Sequence, residues 1–324
     1  MTFATRRLAA TLLAFVLPAA ALAGTYPERP IVLIVPSIPG GAADAVARQV
    51  AEGLAAQLGK PVIVENRPGG ATTIGTQAVA RAESDGYTLL LGLDAALAAA
   101  PYLLPKLPYR PDKDFAPIGT LATLQYALVA SPTAPFHSVD ELLARARGCC
   151  AGSITYASGG EGSVHHLGME LLQDEAGISL KHVPYKAAPQ GFVDVMGGHV
   201  DMMLIAPGTA IGPMKAGKVQ GLARTGTAPI PEAPALPALS ATVKGYVFES
   251  WFGLLAPAAT PAPTLARLEA ALAAYSKTPD ARTKMLALGV TPTPEGAATL
   301  KARITNDIAR YAPVLTRLKQ LEAR

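Results

Sequence analysis

Five consecutive apolar residues, Ile31 to Val35, break off at Pro36 and lead through Ser37, Ile38 and Pro39 to Gly40 and Gly41. Both alternating faces of the run are apolar, the pattern of a strand covered by helices on either side. Beyond the glycines Val46, Val50, Leu54 and Leu58 recur at four-residue spacing, which predicts a helix from about Asp44 to Leu58 closed by Gly59 at C′. A strand therefore passes into a helix through a turn that holds no side chain over its peptide N–H groups. The open helix N-terminus is a place for an anion. The same grammar returns about 120 residues later, where Ile154 to Ser163 reads as a short strand, a glycine-rich turn and the start of a helix from Val164 to Ala176 closed by Gly177. Two such turns suggest two similar halves that grip one acidic molecule between them.

The remaining pattern fills in an α/β fold. Lys60 to Glu65 reads as a strand, Asn66 to Gly70 as a turn, Ile74 to Ala82 as a helix and Tyr87 to Leu91 as a third strand. This alternation predicts a largely parallel sheet, which collects ligands beyond the carboxyl ends of its strands, where Gly92-Leu93-Asp94 also falls. The prolines from Pro101 to Pro117 predict an irregular crossing with a short strand near Ile118 to Ala122. Ser138-x-x-Glu141 is a capping box for a helix over Val139 to Arg147, after a strand from Tyr126 to Ala130.

Strands at Leu180 to Pro184, Val200 to Ile205 and Val219 to Thr225, a helix at Pro189 to Met196 and a helical turn at Ile211 to Ala216 complete a second lobe. Pro229, Pro231, Pro234 and Pro237 mark a surface crossing, and Tyr246 to Ala256 is an aromatic strand returning to the first lobe. Helices are predicted from there to the end, at Pro263 to Ser276, Pro279 to Leu288 and Pro294 to about Leu321. The expected domains are residues 24–125 with 247–324 as a discontinuous first lobe and 126–246 as the second. Two crossing strands between them form a hinge able to close over a ligand.

Composition trims this picture at the N-terminus. Arg6 and Arg7, the apolar run Leu8 to Leu17 and the small residues Ala21-Leu22-Ala23 read as a secretory leader cleaved after Ala23, which places the mature chain in the periplasm. Of the 324 residues, 50% are hydrophobic and 16% charged, enough for two packed domains and too apolar for disorder. Net charge is +4, and removing Arg6 and Arg7 leaves 26 basic residues against 24 acidic ones. Basic residues are scattered, without interleaved aromatics, so nucleic-acid binding is not expected. The two cysteines, Cys149 and Cys150, are neighbours. A bond between them requires a strained ring, because disulfides place Cα atoms about 4.4–6.8 Å apart. A vicinal bond, two small helix-end residues and an intermolecular bridge all stay open.

Catalytic and metal chemistry find little support in the spacing. Ser163 in GEGSV does not match the G-x-S-x-G elbow and reads as a helix cap and ligand donor. His165 and His166 diverge by about 100° on a helix, and His137, His182 and His199 show no ligand spacing, so no metal and no cofactor are expected. Asp44 is expected to complement its own helix and Trp251 to pack in core or hinge, while an acid/base pairing of Asp44 with Glu161 across the cleft is the less favoured alternative.

At VPSIPGGAAD, VIVENRPGGATTIG, DGYTLLLG, YASGGEGSVHHLGMELL, HVPYK, GGHVDMM, MKAGKVQGLA and SWFGLLAPAATP the sequence resembles the Bug family, the extracytoplasmic receptors of tripartite tricarboxylate transporters, across nearly the whole mature chain. The resemblance implies a type II periplasmic binding protein fold, an α/β architecture of two lobes about a central cleft, and a receptor rather than an enzyme. It further implies that the ligand carboxylate is held by Pro39, Gly40, Gly41, Ala42, Ala43 and Asp44 of the first turn and by Ser158, Gly159, Gly160, Gly162 and Ser163 of the second. Asp94 and Tyr185 complete the expected ligand-binding set.

Three positions depart from the family pattern: Ser37 where many members carry an aromatic, Ile205-Ala206 in place of an Asp-Asn pair, and Asp94-Ala95-Ala96 in place of hydroxyl or amide residues. They imply an apolar, roomy far end suited to an aliphatic or aromatic carboxylate rather than an amino acid. The expected partners are that small organic carboxylate and integral membrane permease subunits, or a membrane sensor kinase in the alternative role. The receptor itself is expected to be a monomer.

Overall fold

A computed structural model describes residues 26–322 apart from Ala71, Pro105 and 149–151, so the expected leader and the Cys149–Cys150 pair lie outside the described residues. The apolar run forms β1 (Ile31–Val35), whose side chains are buried except for half-buried Val32. It is followed by α1 (Ala42–Leu58), β2 (Val62–Asn66), α2 (Thr73–Ala80) and β3 (Thr88–Leu93). Gly59 ends α1 in the left-handed region at φ 72°, the conformation its position predicted. Both β2 and β3 pair parallel to β1, with Leu33 opposite Val64 and Leu89.

After a π-helical turn at Ala95–Ala99 and the short α3 (Ala100–Leu103) comes β4 (Phe115–Gln125). Its eleven residues replace the short strand expected around Ile118 to Ala122. Pro117 is accommodated beside a register shift between Leu254 and Leu255 of its partner strand, the kind of irregularity at which proline is tolerated in a sheet. The next elements are β5 (Ala127–Ala130), α4 (Val139–Arg147), β6 (Thr155–Ser158), α5 (Val164–Ala176), β7 (Lys181–Pro184), α6 (Ala188–Met196), β8 (Met202–Ile205), α7 (Pro207–Lys215) and β9 (Gln220–Arg224). Ser138 caps α4 as its sequence implied, while Glu141 reaches past it to accept from the His137 N–H at 2.7 Å.

The chain ends with β10 (Glu249–Pro257), α8 (Ala262–Ser276), α9 (Pro279–Ala287), β11 (Thr291–Gly296) and α10 (Ala297–Glu322). Here β11 corrects the all-helical expectation. Its prolines, Pro292 and Pro294, sit on the sheet's outermost strand, which pairs only with β4, so their missing N–H groups cost little.

Two sheets result, in the orders β11-β4-β10-β3-β1-β2 and β7-β6-β8-β5-β9. Only Tyr126 separates the last residue of β4 from the first of β5, so the sheets meet end to end at that point. In the first sheet Phe252 lies opposite both Leu93 and Ala122, which sets the carboxyl ends of β1 and β3 at the end where β4 leaves. In the second, Ala127 lies opposite Ile205, the last residue of β8, and β6 runs parallel to β8. The loops that follow β1, β3, β6 and β8 therefore all emerge at the junction between the sheets.

Each sheet has its own apolar core, and α10 belongs to both. Leu300 and Ile304 pack in the first core, whereas Tyr311, Val314 and Leu315 pack in the second with Tyr126, Phe248 and Leu167. Trp251 in the hinge strand β10 is buried and donates from Nε1 to Asp307 Oδ2 of α10 at 2.7 Å. Among the described residues no helix is long and apolar enough to cross a membrane.

Candidate functional site

The first turn opens directly from β1. Gly40 has φ 81°, a region that glycine enters without strain, and Gly41 is the N-cap of α1 with no side chain capping it. The first N–H groups of α1 thus lack the capping acceptor that most helix ends carry. Asp44 is buried but turned back on its own turn: Oδ2 accepts from the Gly40 N–H at 2.9 Å and from Arg48 Nε at 3.0 Å. The Arg48 hydrogen bond holds its carboxyl below the usual range, against the opposing effect of burial. Asp44 Oδ1 and Ser37 Oγ are buried without a hydrogen-bond partner, and Asn66 Nδ2 ties β2 to the turn through Ser37 O at 3.2 Å.

The second turn is held more tightly. Ser158, fully buried, accepts the Gly160 N–H at 3.0 Å, and its Oγ lies 2.6 Å from His182 Nε2 on β7. His166 Nδ1 accepts the Gly162 N–H at 3.1 Å, while Ser163 caps α5 by accepting the His166 N–H at 3.3 Å. Two of the expected donors, the Gly160 and Gly162 N–H groups, are therefore already engaged within their own lobe. Val164 and His165, at the first positions of α5, remain as the N–H groups for which a helix supplies no internal acceptor.

Tyr185 leans on this turn, its N–H 3.3 Å from Ser158 O. Its hydroxyl donates to Asp194 Oδ2 at 2.5 Å, and burial followed by that carboxylate pushes the phenol up to about 12.

Asp94 lies at the carboxyl end of β3, only 3% exposed, and its Oδ2 has no hydrogen-bond partner. Burial pushes this carboxyl up to about 7, opposed by a hydrogen bond with Ser250. Ser250 Oγ in turn lies 2.8 Å from the Tyr126 hydroxyl, and the Tyr126 ring meets His165 edge-on at 5.8 Å. A polar chain thus runs from the first sheet through the crossing strands to the first turn of α5. Burial pushes His165 down to about 4, so it is neutral here, with Nδ1 unpartnered.

The second turn also touches α3, since a Cβ on Gly162 would fall 2.7 Å from Leu103 Cδ1, and Leu103 packs against the second core. Beside the crossing strands, a groove of about 320 Å³ separates Pro207, Ile211 and Gly212 of α7 from Leu286 to Thr291. The alternative Asp44–Glu161 pairing is not formed, because Asp44 engages Arg48 and Glu161 engages two histidines.

The histidines that linear spacing keeps apart are grouped in the fold. His166 and His182 stack with ring centroids 3.9 Å apart and planes 12° apart, and Glu161 Oε2 and Oε1 lie 3.3 and 3.2 Å from their respective Nδ1 atoms. No linear spacing signals this: His182 lies on β7, paired parallel to β6, and His166 lies on α5, which follows β6. Burial pushes His166 down to about 3 and His182 to about 4.

The family model described as tripartite tricarboxylate transporter family receptor matches residues 46–319. The chain is 32% identical to Protein BugT of Bordetella pertussis over 90% of each chain. Among solved structures it is similar to Rpa4515 of R. palustris with adipate (28% identity, TM-score 0.75, 89% of this chain and 97% of that one). It is also similar to MatC of Rhodopseudomonas palustris with bound malate (30% identity, TM-score 0.72, 90% and 100%). Two sheets meeting at a junction, with glycine turns opening onto it, are the periplasmic-binding-protein architecture of these relatives, and the chain belongs to the Bug family of tripartite tricarboxylate transporter receptors, which bind solutes without transforming them.

Proposed function

We propose that this receptor captures a small organic carboxylate between its two glycine turns and delivers it to integral membrane permease subunits. One observation carries the reading: both turns emerge at the junction of the sheets, and each is followed at once by a helix N-terminus. Backbone N–H groups at such ends bind an anion without a buried arginine. The uncapped N-terminus of α1, with Pro39, Gly40, Gly41, Ala42 and Ala43, forms one side of the clasp. Ser158, Gly159, Gly160, Gly162 and Ser163 form the other, with the α5 N-terminus as the donor and Tyr185 as its support. Asp44 acts by shaping the first turn, and Asp94, at the carboxyl end of β3, by lining the junction beside it.

The ligand class rests on two similar proteins whose structures hold adipate and malate, both carboxylates. Residues 24–125 with 247–324 and residues 126–246 act as the two lobes, closing about Gln125–Tyr126 and Phe248–Glu249, in a mature monomer exported by a leader cleaved after Ala23.

A thermal-shift panel on tag-free mature protein tests the reading. Adipate, malate and other aliphatic or aromatic acids are compared with their uncharged amides. A true ligand at 100-fold its Kd adds about 2.7 kcal/mol of stability, and the amides add none. Stabilisation by no carboxylate, or equal stabilisation by the amides, overturns the proposal. Stabilisation by aspartate or glutamate alone overturns the apolar far end.

A further inference from the structure

We propose that Glu161, His166 and His182 form a binding site for one divalent transition-metal ion, of the zinc or nickel class, on the second lobe. One ligating atom from each residue lies within 4.8 Å of the others. Glu161 places one carboxylate oxygen 3.3 Å from His166 Nδ1 and the other 3.2 Å from His182 Nδ1, so its two oxygens each face one ring nitrogen. His166 Nδ1 accepts the Gly162 N–H, so it presents a lone pair, yet a carboxylate oxygen of Glu161 stands against it. A cation between them converts that opposition of acceptors into coordination.

The far side of the His182 ring is also arranged as a metal ligand requires. His182 Nε2 has Ser158 Oγ behind it at 2.6 Å, whereas His166 Nε2 faces Glu170 Oε1 only across 3.8 Å, beyond a hydrogen bond. Such a partner as Ser158 sets the tautomer with the lone pair on His182 Nδ1, and on His166 an arriving ion takes the Nδ1 lone pair from the Gly162 N–H. Beyond the cluster a cavity of about 490 Å³, lined by Glu161, Glu170, Asp174 and Arg317 among others, gives a hydrated ion a route in and leaves room for water in the fourth position. Glu161 is 51% exposed, so it can follow an arriving ion.

The rings are now stacked, and each lone pair lies in its ring plane, so sharing one ion requires the two to splay apart. Loading therefore reshapes the segment between Ser158 and Glu161, which is the second glycine turn. The site differs from the carboxylate clasp in both ligands and chemistry.

Calorimetric titration of chelator-stripped, tag-free protein with ZnCl₂ and NiCl₂, with MgCl₂ as a hard-cation control, tests the assignment. One equivalent of Zn²⁺ or Ni²⁺ is expected to bind and Mg²⁺ is not. Glu161→Gln and His182→Ala each lower affinity at least about 10-fold, and Ser158→Ala lowers it by about 10- to 100-fold through ring orientation. His137→Ala and His199→Ala leave it unchanged. Circular dichroism melts of every variant separate lost ligation from lost fold, and Glu161→Gln, at an exposed position, keeps the fold. Absence of binding by the wild type, or binding retained in the Glu161→Gln/His182→Ala double variant, overturns the proposal.

Discussion

Ser158 Oγ stands 2.6 Å from His182 Nε2, and this contact ties the second glycine turn to the neighbouring strand β7. Because the same oxygen accepts the Gly160 N–H, one buried hydroxyl fixes the turn from two sides. Ser158→Ala leaves the Gly160 N–H and the His182 ring nitrogen without that partner. The expected cost is about 1–3 kcal/mol of stability, read from urea unfolding, with weaker carboxylate binding in calorimetry. An unchanged unfolding midpoint counts against the hydroxyl as the turn's anchor.

Gly40 and Gly162 both have positive φ, but only Gly162 is crowded. Gly40→Ala meets nothing within 4 Å, so it costs only the left-handed backbone penalty of about 1–2 kcal/mol. Gly162→Ala adds a clash with Leu103 and destabilises more. Pairing Gly162→Ala with Leu103→Ala recovers part of the extra loss, a coupling that thermal melts of the double-mutant cycle measure directly. Additive effects argue that the second turn does not press on α3.

Asp94 gives stability a pH dependence whose sign is fixed by its burial. Its folded value near 7 lies above the ordinary 3.8, so the folded state holds the proton more tightly. The stability this contributes is fully present below about pH 4 and is lost as pH rises through 7. Relative to Asp94→Asn, which stays neutral, the wild type should lose about 1.4 kcal/mol per pH unit across that window and then level off, an upper bound of about 4 kcal/mol. Denaturant melts of the pair from pH 4 to pH 8 give the difference, and parallel curves rule out a buried titrating carboxyl.

Leu315, near the end of α10, is fully buried in the core of the second sheet. Leu315→Ala is therefore expected to cost about 2–5 kcal/mol in urea unfolding, a core-sized loss from the last helix of the chain. Hydrogen exchange should localise the loosening to α5 and its neighbours. A loss confined to the first lobe's elements contradicts the role of α10 as a strap across both lobes.

Much of the architecture was legible before any coordinates. The apolar run at Ile31 to Val35, the four-residue spacing of α1 and the capping Ser138 were each found within a few residues of their predicted bounds, because each is local. β11 was hidden behind Pro294, which read as a helix start, and its two prolines are tolerated only because the strand is an edge. The length of β4 was hidden likewise, since a register shift makes room for Pro117.

At the candidate site the two turns were legible as glycine between strand and helix, but their internal occupancy was not. That the Gly160 and Gly162 N–H groups are spent on Ser158 and His166 depends on side-chain directions that residue order does not encode. The unpartnered Asp94 Oδ2 and the stacked histidines are likewise products of packing.

Local pattern, then, determined which segments become strands, which turns carry no side chains, and which helices begin where an anion is favoured, since these follow from φ/ψ preference and hydrophobic period over a few residues. Only the tertiary structure decided that both turns open at one junction, that α10 leaves one core for the other, and that His166, His182 and Glu161 meet. Those outcomes depend on strand order and register, which bring together residues far apart in the chain, and no short-range preference specifies them.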